Sequence, residues 1–399
     1  MTVYSVSSLF IDTSQEQAVT PVRNFYIGNS DYSSFVTGWP KVTRRWNEIK
    51  PNKVTVKVAN QNKTFNFFKS DPVKLRASSR VEIGVQFTTS SSEVYTIFEG
   101  TVGKVNFTGD GTTANISLID KVKPFSERVV GSSDDPLDYT TSNYYPADIA
   151  WYLVTSYGGL STVTSTSNPD IDYQSWSDWR AVFSDNSVVC NARFDGQKLN
   201  ECLRKIGRIT GSSIFEENGK LNFSRFSTSS SGAAPVNSNA FFNISLNIDD
   251  ARIINKQIVN ADYDTTSKYF KITVNDESTY SVNSYGLREQ LEKDSKLWYV
   301  NSVAALDYAQ RAVDINKDPP EKYRIKTGVQ LLARAVGETI QITHDPLDLS
   351  EDVFRIMGYT FDVDRCSGSY DLDKTQLRTF FTLDDAVLGL LDQATNPLG

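Results

Sequence analysis

The chain has 399 residues, 39 % of them hydrophobic and 22 % charged, with a formal net charge of −7. Such a length predicts roughly two to three domains, each able to bury its own core. A net negative chain without a dense Lys/Arg block grips phosphates poorly, so no specific nucleic-acid binding is expected. No apolar run approaches the ~20 residues that span a bilayer, and the amino terminus lacks the basic and apolar regions of a cleaved signal; neither stable membrane insertion nor secretion is expected.

Cys190, Cys202 and Cys366 lie far apart and read as buried thiols rather than a disulfide framework. His344 is the single histidine, which excludes HExxH sites, triads built on two histidines and most zinc chemistry. Frequent Ser, Thr and Asn, with 12 % aromatic residues, suit many strands joined by polar turns.

Residues 1–50 show little regular pattern and are predicted to form an extension that lies against a neighbour, with a loop around Gly28-Asn29-Ser30-Asp31. From Lys53 the pattern sharpens: Val54, Val56 and Val58 alternate with polar residues, and a turn at Asn60-Gln61-Asn62 predicts a hairpin onto Phe65 and Phe67. Val81, Ile83, Val85 and Phe87 alternate in a further strand. YTIFEGTVGKVNF follows, and Gly109-Asp110-Gly111 turns the chain onto Ile116 and Leu118. Residues 51–130 are therefore predicted to be a small β-barrel or sandwich.

After a Gly-Ser-Asp-Pro linker, residues 140–226 predict an α+β domain. It has a helix from Pro146 to Tyr157 closed by Gly158-Gly159 and a second from Gly196 to Ile209. In the latter Leu199, Cys202, Leu203 and Ile206 share a face ahead of Gly211. A hairpin around Asn218-Gly219 ends it. Residues 227–245 read as a Ser/Ala/Pro-rich linker.

Residues 246–385 predict a second barrel-like unit with one helix, begun by Ile253–Thr273. Tyr280 starts a short strand before the turn Ser284-Tyr285-Gly286-Leu287-Arg288. A helix capped by Asn301 or Ser302 carries Val303, Leu306, Ala309 and Val313 until Pro319-Pro320 stops it, and two alternating strands follow around Ile325 and Ile340. Residues 386–399 form a tail. VEIGVQF followed by IFEGTVGKVNF echoes ETIQITHD followed by VFRIMGYTFDV: strand, polar loop, Phe, glycine within four residues, alternating strand. The fold expected is mainly β (α+β), with two β-barrel or sandwich units of similar design and an α+β domain between them.

Chemistry-bearing constellations are sparse. Asp362, Asp364, Asp371 and Asp373 bring carboxylates together, but Cys366 and Ser367 break the calcium-loop pattern and a solvated turn is expected. Asp170 and Asp172 before Trp176 and Trp179 have the composition of a sugar platform or a glycosidase carboxylate pair, against core tryptophans as the ordinary reading. His344 before Asp345-Pro346 reads as a hydrogen-bonded loop residue. Asn243-Ile244-Ser245 matches a glycosylation sequon by chance, and Gly109-Asp110-Gly111 is no phosphate loop. No catalytic residue, cofactor or metal is expected.

The order of pieces resembles the hub proteins of phage tail baseplates and tail tips and of related contractile devices. The resemblance is carried by IFEGTVGKVNF…ISLIDKVKPFSERVVGS, NYYPADIAWYLVTSYGGLST, SNPDID with WSDW, FDGQKLNECLRKIGRITGSSIFEENGKLNFSRF and SYGLREQ…SVAALDYAQRAVD…GETIQIT…VFRIMGYTFDV, across residues 80–385. Where such proteins have a Tyr-Gly-Arg-like turn and a Gly-acid strand, this chain has Tyr285-Gly286-Leu287-Arg288 and Gly337-Glu338. The resemblance implies a non-enzymatic homotrimer in the virion, at the distal end of a tail assembled in the host cytoplasm. Two barrels per copy would present sixfold symmetry to a tail tube or distal tail protein and threefold symmetry to a spike or fibre, around a negatively charged channel that passes DNA. The tail would dock on a neighbouring chain. Some hubs carry fused peptidoglycan-cleaving domains, for which the predicted pieces leave no segment here. Alternatives from other classes are a carbohydrate-binding or glycoside-hydrolysing protein using Asp170 or Asp172, and a fibre-like receptor binder.

Overall fold

The computed structural model describes residues 14, 21–46, 53–65, 79–87, 93–120, 122–139, 144–185, 188–217, 219–225, 233–236, 241–248, 252–264, 266–293, 302–319 and 321–374. The expected positions of Phe67, Asn218, Asn301 and Pro320, most of the linker, and the tail lie outside these residues. Among the described residues no helix is long and apolar enough to cross a membrane.

The chain is mainly β with some helices. Its first large sheet is a half-barrel of β1 (Pro21–Ile27), β3 (Lys53–Ala59), β4 (Arg80–Phe87), β5 (Val94–Phe107) and β6 (Thr113–Asp120), with β2 (Lys41–Arg45) sent elsewhere. The order is Ser30–Asp31, β1, β4, β5, β6, β3, Val36–Gly38, with every pair antiparallel. Val54, Val56 and Val58 are buried while Lys53, Thr55 and Lys57 are exposed, so the alternation in the sequence becomes one core face. The expected hairpin onto Phe65 gives way to longer-range pairing: β3 pairs β6 and Val36–Gly38, while the Asn60 side chain accepts from the Phe65 amide at 3.0 Å and folds the turn locally.

The middle of the chain supplies α1 (Pro146–Tyr152, continued by a wider turn to Tyr157), α2 (Tyr173–Asp185), α3 (Leu199–Thr210) and the hairpin β7 (Ser212–Glu217) and β8 (Lys220–Arg225). Gly211 ends α3 at φ +59, a left-handed conformation that glycine adopts without strain.

The second large sheet runs β9 (Ala234–Val236), β15 (Thr339–His344), β16 (Leu349–Asp362), β17 (Ser367–Lys374), β14 (Glu321–Thr327), β10 (Phe241–Ile248). It is mixed, because β9 pairs β15 in parallel. Its long strand β16 pairs β15 along its first half and β2 along its second. The remaining elements are β11 (Lys256–Asp264), β12 (Tyr269–Glu277), α4 (Thr279–Tyr285), β13 (Glu289–Lys293) and α5 (Ser302–Asn316). The strands make a separate sheet in the order β12, β11, β13.

Several expectations change. The N-terminal extension is built into the body: β1 joins one sheet and β2 the other. Tyr280 lies in a helix rather than a strand, because the Ser278 hydroxyl accepts from the Ser281 amide and caps it, and Gly286 at φ +75 ends it. The segment from Ile253 forms the three-stranded sheet instead of continuing the second large one. Val259 and Ala261 of β11 and Ala304, Ala305 and Ala309 of α5 share a core with α1, α2 and α3. Part of the predicted linker is strand β9.

The internal echo has a geometric counterpart. β5 and β16 are each 14 residues long, each is preceded by an antiparallel neighbour and followed by an eight-residue one, and each breaks register midway, at Val102/Lys104 and at Ile356/Gly358. Close approach accompanies the first irregularity: a Cβ on Gly100 would collide with the Ile119 carbonyl oxygen. The two large sheets share one contiguous apolar core, in which Phe25, Val56 and Phe98 join Ile325, Ile340, Phe354 and Phe361. β7 lies between this core and the helical one, contributing Phe215 to the first and Ile214 to the second, and all six of its residues are buried.

Candidate functional site: a buried polar junction

Where four distant segments meet, the core turns polar. Arg44 of β2, Tyr95 of β5, Glu216 and Glu217 of β7 and Tyr359 of β16 are all buried, with Tyr370 of β17 beside them. Arg44 is brought here because Val42 and Arg44 occupy the inward positions of a strand registered against Tyr359 and Phe361. Its guanidinium forms an ion pair with Glu216, whose other carboxylate oxygen accepts the Gly219 amide at 2.9 Å. Tyr95 donates its hydroxyl to Glu217 Oε1 at 3.2 Å and Tyr359 donates to the same oxygen at 3.0 Å. At the rim, Arg80 Nε lies 2.8 Å from Glu99 Oε1.

Burial decides the electrostatics. It opposes the charge on Arg44, yet Glu216 and the surrounding anionic groups hold that guanidinium above its ordinary pKa. Burial pushes Glu217 up to about 7; Glu216 adds to the rise, while Arg44 and the two tyrosine hydrogen bonds oppose it. Burial, then the negative charge of Glu217, drives the phenols of Tyr95 and Tyr359 well above the usual tyrosine range. A carboxyl that keeps its proton near neutrality, clasped by two hydroxyls beside a dedicated ion pair, ties the two large sheets and the β7–β8 hairpin together. Removing one partner of such a set strands the other without solvent.

The residues singled out by sequence lie apart from this junction. Trp176 and Trp179 sit on α2 with their rings in the helical core, donating to the Ala147 carbonyl at 3.0 Å and the Ser212 hydroxyl at 2.7 Å. Neither ring faces outward as a sugar platform requires. Asp172 caps α2 by accepting the Ser175 amide, and Asp170 accepts the Ser161 amide, both at 3.0 Å. Asp362 accepts the amides of Asp364 and Arg365 in a tight turn and meets Lys41 at 3.2 Å, while Asp371 pairs with Arg324 at 2.7 Å. His344 is the last residue of β15 rather than a loop residue. Among the described residues no three metal-ligating side chains gather. Arg44, Glu216 and Glu217 belong to no motif in the sequence. The faint signal for Arg44 is the pattern of KVTRR, whose alternation places a charge where a core residue is expected.

The fold has counterparts among solved structures. It matches the 43 kDa tail protein of prophage MuSo2 from Shewanella oneidensis at a TM-score of 0.55 and 13 % identity, covering 89 % of this chain and 99 % of that one. The tail protein from Neisseria meningitidis MC58 matches at 0.57 and 13 % identity, over 89 % and 96 % of the two chains. Prophage tail protein gp18 from Listeria monocytogenes EGD-e matches at 0.54 and 13 % identity, over 88 % and 94 %. No family model and no curated protein matches the sequence. The chain thus has the fold of prophage tail proteins, the class that the sequence resemblance pointed to.

Proposed function

We propose that this chain is a non-enzymatic structural protein of a phage tail, acting as the hub of a baseplate or tail tip. Three copies form a ring, and the two large sheets of each copy serve as the cores of two barrel-like units of similar design, with the helical α+β unit between them. Six such units face a tail tube or distal tail protein, the threefold axis carries a spike or fibre, and DNA passes along the axis. The protein sits in the virion at the distal end of the tail. The observation that carries this reading is the fold shared with three prophage tail proteins over nearly their whole lengths. The matched pair of 14-residue strands supports it, since two similar units per subunit are what a threefold-to-sixfold adaptor needs.

The test is the solution mass by light scattering behind a sizing column, over a concentration series, with and without tube or spike protein. Three times 44.6 kDa, or a monomer that becomes a three-membered ring on adding tube or spike protein, is expected. A chain that stays monomeric with those proteins and retains or hydrolyses polysaccharide overturns the reading.

A further inference from the structure

The second large sheet ends in a strand whose inward face is only partly covered. β10 turns Ile244, Leu246 and Ile248 to the side of the sheet that elsewhere makes the core; Ile244 packs half-buried against that core, and Phe242 sits at the register break between Phe241 and Asn243. The register sets Leu246 beside Tyr323 of β14, and Tyr323 beside Leu372 of β17. Exposure along that row climbs from 1 % at Leu372 through 4 % at Tyr323 to 38 % at Leu246, and it reaches 57 % at Ile248 and 70 % at Phe242. Among the described residues β10 has β14 as its strand partner on one edge, and its other edge has none. Natural edge strands are blunted by charge or proline; from Phe241 to Ile248 this one carries neither. Leu246 and Ile248 side by side, with Phe242 beyond the half-buried Ile244, are too close together to be scattered surface hydrophobics and call for a cover.

The chain itself has a cover within reach. β17 leaves the sheet at Lys374, at the same end as Ile248: Ile248 is registered with Glu321, Lys322 with Asp373, and Lys374 lies 3.9 Å from Glu321. Two strand spacings, about 10 Å, separate β17 from β10. At about 3.3 Å per residue, a short stretch after Lys374 bridges that gap. The remaining sequence to Gly399 includes Phe380, Phe381, Leu383, Val387, Leu388, Leu390 and Leu391, and from Ala386 onward its one charged side chain is Asp392. Apolar supply and apolar demand thus sit at the same corner of one sheet.

We propose that the C-terminal segment 375–399 of this chain docks on the inward face of β10, covering Phe242, Leu246 and Ile248. The proposal is independent of the ring, because it needs only one copy. Two experiments on the full chain test it. Hydrogen exchange followed by mass spectrometry should show amides 241–248 protected, and Leu388→Asp with Leu391→Asp should speed their exchange tenfold or more while β14 and β17 keep their rates. Mild oxidation of a Leu246→Cys, Leu390→Cys double variant should link residues 246 and 390 within one chain, whereas a mixture of the two single variants should give no linked pair of chains. Unchanged exchange in the Asp variant, or linkage between chains in the mixture, overturns the proposal; the latter result would assign the face to a second copy, leaving the ring reading intact.

Discussion

Replacing Glu217 by Gln isolates a buried carboxyl whose pKa the fold raises to about 7. In the folded chain it releases its proton at about 7, against an ordinary value of 4.5. Between those values the folded state binds the extra proton, so this group's contribution to stability is full below pH 4.5, falls as pH rises through 7, and is gone beyond. At about 1.4 kcal/mol per pH unit the loss amounts to about 3 kcal/mol. Gln is nearly isosteric, and its carbonyl still accepts from Tyr95 and Tyr359, so the variant keeps the clasp without the titration. Urea unfolding of both proteins at pH 5 and pH 8, read by tyrosine and tryptophan signals, gives the comparison. The native chain should lose about 2.5 kcal/mol more than Glu217→Gln across that interval, which starts above the unfolded value. Asp276 and Asp373, which burial also raises, slope the same way in both proteins and cancel. Equal pH dependence in the two would refute the assignment of a neutral Glu217.

Arg44→Met removes the guanidinium but leaves Glu216 buried, and should cost about 3–5 kcal/mol by denaturant unfolding; the double variant Arg44→Met, Glu216→Gln should recover much of that loss. Trp179→Ala opens a cavity in the helical core and removes the indole's hydrogen bond to the Ser212 hydroxyl, so it should lower stability by about 3–5 kcal/mol in the same assay. An exposed sugar platform would instead lose polysaccharide retention with its unfolding midpoint unchanged.

What could be read from the sequence was local. Leu199, Cys202, Leu203 and Ile206 announced α3 because one helical turn suffices to show the stripe, and Gly211 marked its end; α5 and the β7–β8 hairpin were legible on the same grounds. The strand expected from Tyr280 gives way to a helix because the Ser281 amide donates to the Ser278 cap, which outweighs a weak alternation of a few residues. The junction was illegible for a different reason. Arg44 pairs with a strand more than 300 residues away, and no local period encodes which distant edge accepts it. Glu216 and Glu217 look like the solvated end of a hairpin until the fold closes over both faces of β7.

The placement of β2 also orders events in time. A strand from the first fifty residues completes a sheet whose β16 is synthesised more than 300 residues later. During translation Val42 and Arg44 therefore wait without their strand partner, and the Arg44–Glu216 pair lacks the strand that encloses it. A chain released before residue 362 would leave this pair uncovered beside an open strand edge, a combination that invites chaperone capture and aggregation. The core thus closes around its charges only after both ends of the described fold exist.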